Sequence, residues 1–381
     1  MAYSNIDKPS KYFQPTLWVA DDTSPRTING FGHQPDMVWV KHRGTSSLNP
    51  TICDRVRGGD KMSGSNITDA EDTKSHGEIT SWNADGITVA DGTSGAYPRL
   101  YFNDFDPFGA GGGNYIAWSW SASGTTPVSN TQGSITSTVS TNTTSGFSIF
   151  SYTGTGASIT TVGHGCSSEP RLVFVKNRSS TGNWVTYHYG AGATGLYNPN
   201  QASLMLNTTN ASANPASGAY LSGGYFSNVS STTITLRDVN NASNVNATGN
   251  NYIGYAFADV KGFSKMGSYT GNGSTDGTFV YTGFKPSFIM IKNSNNSGTG
   301  WSMWDSKRNT YNLVNTYLQA NSTGADDTQA FADFLSNGIK IRDSNSFCNG
   351  SGNTIIYMAF AENPFVSSKG IPTTARWFGL S

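Results

Sequence analysis

The sequence predicts an all-β protein: three tandem antiparallel β-sandwiches, jelly-roll-like and related by internal repeat. Three observations predict it. One strand-like phrase occurs three times at matching places. Short alternating apolar runs are separated by Gly, Asn, Asp and Pro turns. The composition is poor in charge (13%) but rich in aromatics (12%), with hydrophobic residues at 36%. A disordered chain has the opposite balance.

The repeated phrase reads "GHQPDMVWVKHR" at 32–43, "GCSSEPRLVFVKNR" at 165–178 and "GFKPSFIMIKNS" at 283–294. Each sets a Pro six residues before a Lys: Pro35 and Lys41, Pro170 and Lys176, Pro286 and Lys292. The apolar runs between them, "MVWV", "LVFV" and "FIMI", read as strands buried on both faces. The Pro stands just outside the ladder, where its missing N–H does no harm.

A closing phrase follows in each unit: "NYIAWSW" at 114–120, "NYIGYAF" at 251–257 and "TIIYMAF" at 354–360. Ala117, Gly254, Ala256 and Ala359 alternate with large aromatics, which suits sheets that face one another closely. The later units open on "FSIFSYTGTG" from Phe147 and "FSKMGSYTGNG" from Phe263. The first has a weaker counterpart, "YFQPTLWVADD" at 12–22, which puts Trp18 where Tyr152 and Tyr269 stand. "WNADGITV" at 82–89 and "FLSNGIKIRD" at 334–343 carry the Asp-Gly and Asn-Gly signals of hairpins. The second unit offers only "STTITLRD" at 231–238.

These phrases divide the chain into repeats at 1–122, 147–262 and 263–366, a Ser/Thr-rich connector at 123–146 and a tail at 367–381. A period of about 100–135 residues is too long for a solenoid and fits tandem domains. In the connector, "SITSTVS" alternates and predicts an added edge strand. "ADVKGFSK" joins the second and third repeats with almost no linker, so that junction is expected to be rigid. A short helix is expected only in "DDTQAFADFLSNG" at 326–338, ended by Asn337-Gly338.

Lys plus Arg and Asp plus Glu number 24 each, and no basic run offers a footprint for nucleic acid. No apolar stretch approaches the ~18 residues of a transmembrane helix. The N-terminus has no secretory pattern, so synthesis and folding in a cytoplasm are expected. Cys53, Cys166 and Cys348 lie far apart and are read as buried free thiols, neither disulfides nor a zinc site. The Asn-x-Ser/Thr tripeptides at Asn66, Asn142, Asn207 and Asn228 are read as by-products of composition.

No cofactor, metal or catalytic group is expected. Serine-hydrolase elbows, zinc-protease helices and P-loops are absent from the sequence. "GAGGGN" at 109–114 precedes a strand, so it is no phosphate cradle. Asp104-x-Asp106 is read as a turn before a calcium site. His33 and His164 are read as caps of the same turn. Phe284 at that place in the third repeat argues against a required proton carrier. "DRVRG" at 54–58 and "DSKRN" at 305–309 place Asp and Arg at corresponding points. They are read as surface ion pairs, ahead of a contact between repeats.

The aromatics are the richest feature, with nine Trp and 18 Tyr. Trp39, Trp118 and Trp120 fall inside apolar strands and belong to the core. Trp184, Tyr187 and Tyr189 in "GNWVTYHYG", with Trp301 and Trp304 in "GWSMW", are the candidate ligand or subunit contacts. Taken singly, each also suits core packing.

"YIAWSW", "SGFSIFSYTGTG", "TVGHG", "SKMGSYTGNGSTDGTFVYTGFKPSFIMIKNS" and "YMAFAENPF" resemble a tandem-repeat domain family of tailed-bacteriophage virion proteins, common in marine and cyanobacterial phages. The opening "MAYSNIDKPSKYFQPTLW" resembles their start. The resemblance implies a virion structural protein, often labelled tail fibre, with no catalytic residues. The first repeat departs most and is the expected virion-attachment unit. The expected partners are other virion proteins, copies of the same chain (a trimer is favoured) and a host-surface glycan. Nucleic acid and membrane are not expected partners.

The leading expectation is therefore a non-enzymatic, tail-fibre-like protein on the virion surface. A capsid decoration or knob protein is the nearest alternative, because no heptad or collagen-like shaft is present. A polysaccharide depolymerase is the third, since a carboxylate pair can come from distant positions.

Overall fold

The computed structural model describes residues 4–44, 47–105, 112–122, 124, 126–166, 168–191, 204–212, 225–237 and 244–364. Asp106 and the tail at 367–381 lie outside the described residues. Among the described residues the fold is almost wholly β, in several antiparallel sheets, with one four-residue α-helix at Ser346–Asn349.

Each repeat builds a sheet of the same order. In the first, Phe13–Val19, Asn114–Trp120, Met37–His42, Thr51–Asp54 and Gly58–Gly64 lie side by side. The second has Phe147–Thr153, Asn251–Phe257, Leu172–Asn177, Val185–His188 and Leu204–Met205. The third has Ser264–Thr270, Thr354–Pro364, Phe284–Asn293, Ser302–Asp305 and Val314–Gln319. The closing phrase thus inserts between the opening strand and the Pro-to-Lys strand. Its register also recurs: Trp120 pairs with Met37, Phe257 with Leu172 and Phe360 with Phe288.

Trp18 does stand where the later tyrosines stand. Trp18 pairs with Tyr115, Tyr152 with Tyr252 and Tyr269 with Ile355. Each donates to a carbonyl shortly before the closing strand: Trp18 Nε1 to Phe102 (2.8 Å), Tyr152 Oη to Val245 (2.6 Å) and Tyr269 Oη to Cys348 (2.6 Å).

Three further strands accompany each large sheet. They are Arg26–Asn29, Gly86–Ala90 and Glu78–Asn83 in the first repeat, and Ile159–Gly163, Thr233–Arg237 and Phe226–Val229 in the second. In the third, Phe279–Tyr281, Gly338–Ile341 and Asp327–Leu335 continue the large sheet beyond Val314–Gln319. The short helix expected at 326–338 is therefore corrected to a strand. Phe331, Ala332 and Phe334 bury themselves against Ile339 and Ile341 of the next strand, and that packing outweighs local helix preference.

Both expected hairpins form, but their two-residue loops are Ala84-Asp85 and Ser336-Asn337, one place earlier than the Gly signal suggests. The glycines answer to a close backbone approach. A Cβ on Gly86 would lie 1.9 Å from the Ile28 carbonyl oxygen, and one on Gly338 would lie 2.2 Å from that of Val280. In the connector, Ser137–Asn142 pairs with the opening strand of the second repeat. Val128–Asn130 adds outside it, so the "SITSTVS" strand lies one place in from the edge.

The central strands are buried on both faces because each face has its own partner. One face of each repeat feeds a local cluster: Val38 with Ile87, Val173 with Ile234, Ile289 with Ile339. The other face feeds a single cluster shared by all three repeats. It takes Met37, Trp39, Trp118 and Trp120 from the first, Leu172, Phe174, Tyr255 and Phe257 from the second, and Phe288, Met290, Met358 and Phe360 from the third. Phe13 illustrates the mixing, stacking 4.6 Å from Phe360. Each such side chain contributes about 1.5–3 kcal/mol through burial. Cys53, Cys166 and Cys348 are buried free thiols, as expected.

Candidate functional site

The lysines of the repeated phrase end at the seams between repeats. Lys176 Nζ donates to the Thr68 carbonyl at 3.0 Å, Lys292 Nζ to that of Thr209 at 3.2 Å and Lys41 Nζ to that of Thr323 at 2.7 Å. Each lysine also binds carbonyls of its own repeat: Gly182 for Lys176, Asn293 for Lys292, Leu48 for Lys41. The three contacts run second to first, third to second and first to third, and so close a cycle. Burial pulls Lys41 down to about 7, against the opposing charge of Asp326, and pulls Lys176 and Lys292 down to about 8.

The receiving threonines end an Asn-x-Thr tripeptide in each repeat: Asn66 to Thr68, Asn207 to Thr209, Asn321 to Thr323. In the second and third repeats the Asn side chain has a structural role beyond composition. Asn207 Oδ1 accepts from the Trp184 backbone N–H at 2.9 Å, and Asn321 Oδ1 accepts from that of Trp301 at 2.7 Å. A backbone bond follows three residues on at every seam. Glu71 N–H donates to Arg178 (3.0 Å), Ser212 N–H to Ser294 (2.8 Å) and Asp326 N–H to Arg43 (2.8 Å).

Four of the five candidate contact residues are corrected by this arrangement. Trp184, Tyr187, Trp301 and Trp304 are all buried. Trp184 Nε1 donates across a seam to Gly64 at 2.8 Å, and Trp301 Nε1 makes the equivalent bond to Met205 at 3.0 Å. Trp304 stacks 3.9 Å from Phe331, and Tyr187 lies in the local cluster of the second repeat. Side chains so enclosed offer no face to an external ligand. Tyr189 alone of the five is exposed (46%), with the Arg171 guanidinium 4.0 Å over its ring.

The Asp–Arg pairs are also corrected. Asp54–Arg57 and Asp305–Arg308 are wholly buried, not on the surface. Arg57 reaches Glu71, which holds Arg178 of the second repeat at 2.8 Å. Tyr255 Oη of the second repeat donates to Asp54 at 2.7 Å. Arg308 pairs with Asp326 at 3.0 Å, Asp326 with Arg43 of the first repeat at 2.7 Å, and the Arg308 guanidinium lies over Trp118. The seam between second and third repeats holds His188 where the others hold Asp, and its Nε2 meets the Tyr357 carbonyl at 2.9 Å.

His33 and His164 do not cap one repeated turn. His33 Nδ1 meets the Ser10 carbonyl and Nε2 the Ser119 hydroxyl, whereas His164 Nε2 meets the Ser230 carbonyl. The pattern that would have found the seams is the recurring Asn-x-Thr, read together with the recurring Lys.

Sheets and seams together define an all-β protein whose repeats share one interior. A protein-family model described as Domain of unknown function (DUF7483) matches residues 8–364, and the chain belongs to that family. No curated protein and no solved structure matches it.

Proposed function

We propose that this chain is a non-enzymatic structural protein of a tailed-bacteriophage virion, displayed on the particle surface in a tail-fibre-like position. On this reading it is three tandem β-sandwiches at 1–122, 147–262 and 263–366, closed into one body. The observation that carries it is the expenditure of side chains at the seams. The repeated lysines, Trp184, Trp301 and the networks around the two Asp–Arg pairs are used to join repeat to repeat. Such a body is a rigid mount whose outward loops are free to differ and to meet a host glycan.

The resemblance of the repeated phrases to phage virion proteins supports the same reading. The first repeat, the most divergent, is proposed to attach to other virion proteins. Copies of the same chain are proposed as further partners, with a trimer favoured. Gold-labelled antibody against the chain on intact particles, viewed by electron microscopy, tests the proposal. Label at the tail is expected. Label spread over the head makes it a capsid decoration, and unlabelled particles overturn a virion role.

A further inference from the structure

We propose that the third repeat carries a subsite for one neutral sugar ring, built around Tyr311. The inference rests on the host-glycan part of the reading above and gives it a place. It starts from a difference between repeats. In the first, residues 55–57 alone join Thr51–Asp54 to Gly58–Gly64. In the third, residues 306–313 make the same join, from Ser302–Asp305 to Val314–Gln319.

That longer loop is fixed in shape. Asn309 Oδ1 accepts from the backbone of Asn315 (3.2 Å) and Thr316 (2.7 Å). Asn312 Oδ1 accepts from Phe334 N–H at 2.9 Å while its Nδ2 donates to the Phe334 carbonyl at 3.2 Å. Yet this fixed loop holds Tyr311 out with 85% of its surface exposed. A large apolar ring presented by a rigid loop is organised for contact.

Beneath it lies a cavity of about 220 Å³, lined by Lys285, Ser306, Thr310, Tyr311, Val314 and Phe334 among others. Val314 and Phe334 give it an apolar floor, and Ser306 and Thr310 give it hydroxyls. Lys285 is paired with Glu362 at 2.6 Å, so the rim carries no net charge and favours no anion. A pyranose matches this chemistry: its C–H face lies on the tyrosine ring while its hydroxyls meet the loop.

The test is saturation-transfer NMR and calorimetric titration of the full chain with glucose, galactose, N-acetylglucosamine and their short oligomers. Sialic acid and glucuronic acid serve as anionic controls. Binding of at least one neutral sugar is expected, weakened at least tenfold in Tyr311→Ala and retained in Tyr311→Phe. The melting temperature should not move, and Tyr189→Ala should bind as the parent does. No neutral-sugar binding, equal binding by Tyr311→Ala, or preference for the acids overturns the subsite. Particle labelling fails separately: a tail-located chain that binds no sugar sinks the subsite alone, and a sugar-binding chain absent from particles sinks the virion role alone.

Discussion

Two seams of this molecule solve one problem with different chemistry. Between the first and second repeats, Asp54, Arg57, Glu71, Arg178 and Tyr255 form a buried charged network. Between the second and third, His188 stands at the Asp position, and the neutral Ser212 and Ser294 meet through a backbone bond. What both keep is the Lys-to-Thr carbonyl bond, the Trp-to-carbonyl bond and the backbone bond beside them. The difference teaches that main-chain acceptors set the geometry of the joint. The charges are an addition, and a buried charge network often adds little over a neutral one of good fit.

The largest effect is expected beneath the seams. Phe174→Asp puts an unpaired charge into the shared cluster, at a cost of roughly several kcal/mol. All three repeats should lose protection from hydrogen exchange together. Loss confined to 147–262 would mean that the cluster does not couple them. Next, Arg57→Ala strands Asp54 without its partner and should cost about 3–5 kcal/mol in a urea titration. The double variant Asp54→His, Arg57→Ala imitates the neutral seam and should recover much of that loss. If it is no better than Arg57→Ala, the two seams are not interchangeable.

Lys292→Met leaves the carbonyls of Thr209 and Asn293 without their donor and should cost about 1–3 kcal/mol. Lys41→Met and Lys176→Met should fall in the same range, and a wide spread would break the equivalence of the seams. Acid sharpens the contrast further. Burial holds His33, His42, His164 and His188 at about 4, below their ordinary 6.5. The unfolded chain therefore binds more protons than the folded one between those values. This contribution to stability is complete above pH 6.5 and is lost as pH falls towards 4. A urea midpoint flat from pH 6.5 to 4 would contradict it. The smallest effect is expected of Trp301→Phe, which gives up the bond to Met205 for about 1 kcal/mol.

Much of the fold was legible in the sequence. The Pro-to-Lys phrase, the closing phrase and the Trp18–Tyr152–Tyr269 equivalence describe local pairing, and local pairing follows from alternation and turn chemistry. The Ala and Leu residues of Asp327–Leu335 suit a helix, and only the packing of Phe331, Ala332 and Phe334 with Ile339 and Ile341 makes the segment a strand. The seams are marked in the sequence only by the recurring Asn-x-Thr and Lys, and neither names its partner. A lysine bound to a carbonyl has a partner without a side-chain signature, so nothing in "VWVK" points to Thr323. Asp54 and Arg57 looked like a surface pair because sequence does not show that Glu71, Arg178 and Tyr255 converge on them. Trp184 and Trp301 sit in polar surroundings along the chain, yet they are buried by another repeat.

The central claim is that the repeats stand or fall together on one shared interior. Scanning calorimetry of the intact chain tests it most directly. A single transition whose calorimetric and van't Hoff enthalpies agree, with a ratio of about 1, is the predicted result. Two or more resolved transitions, or a ratio of about 3, would mean three independent bodies on one chain and would contradict the account.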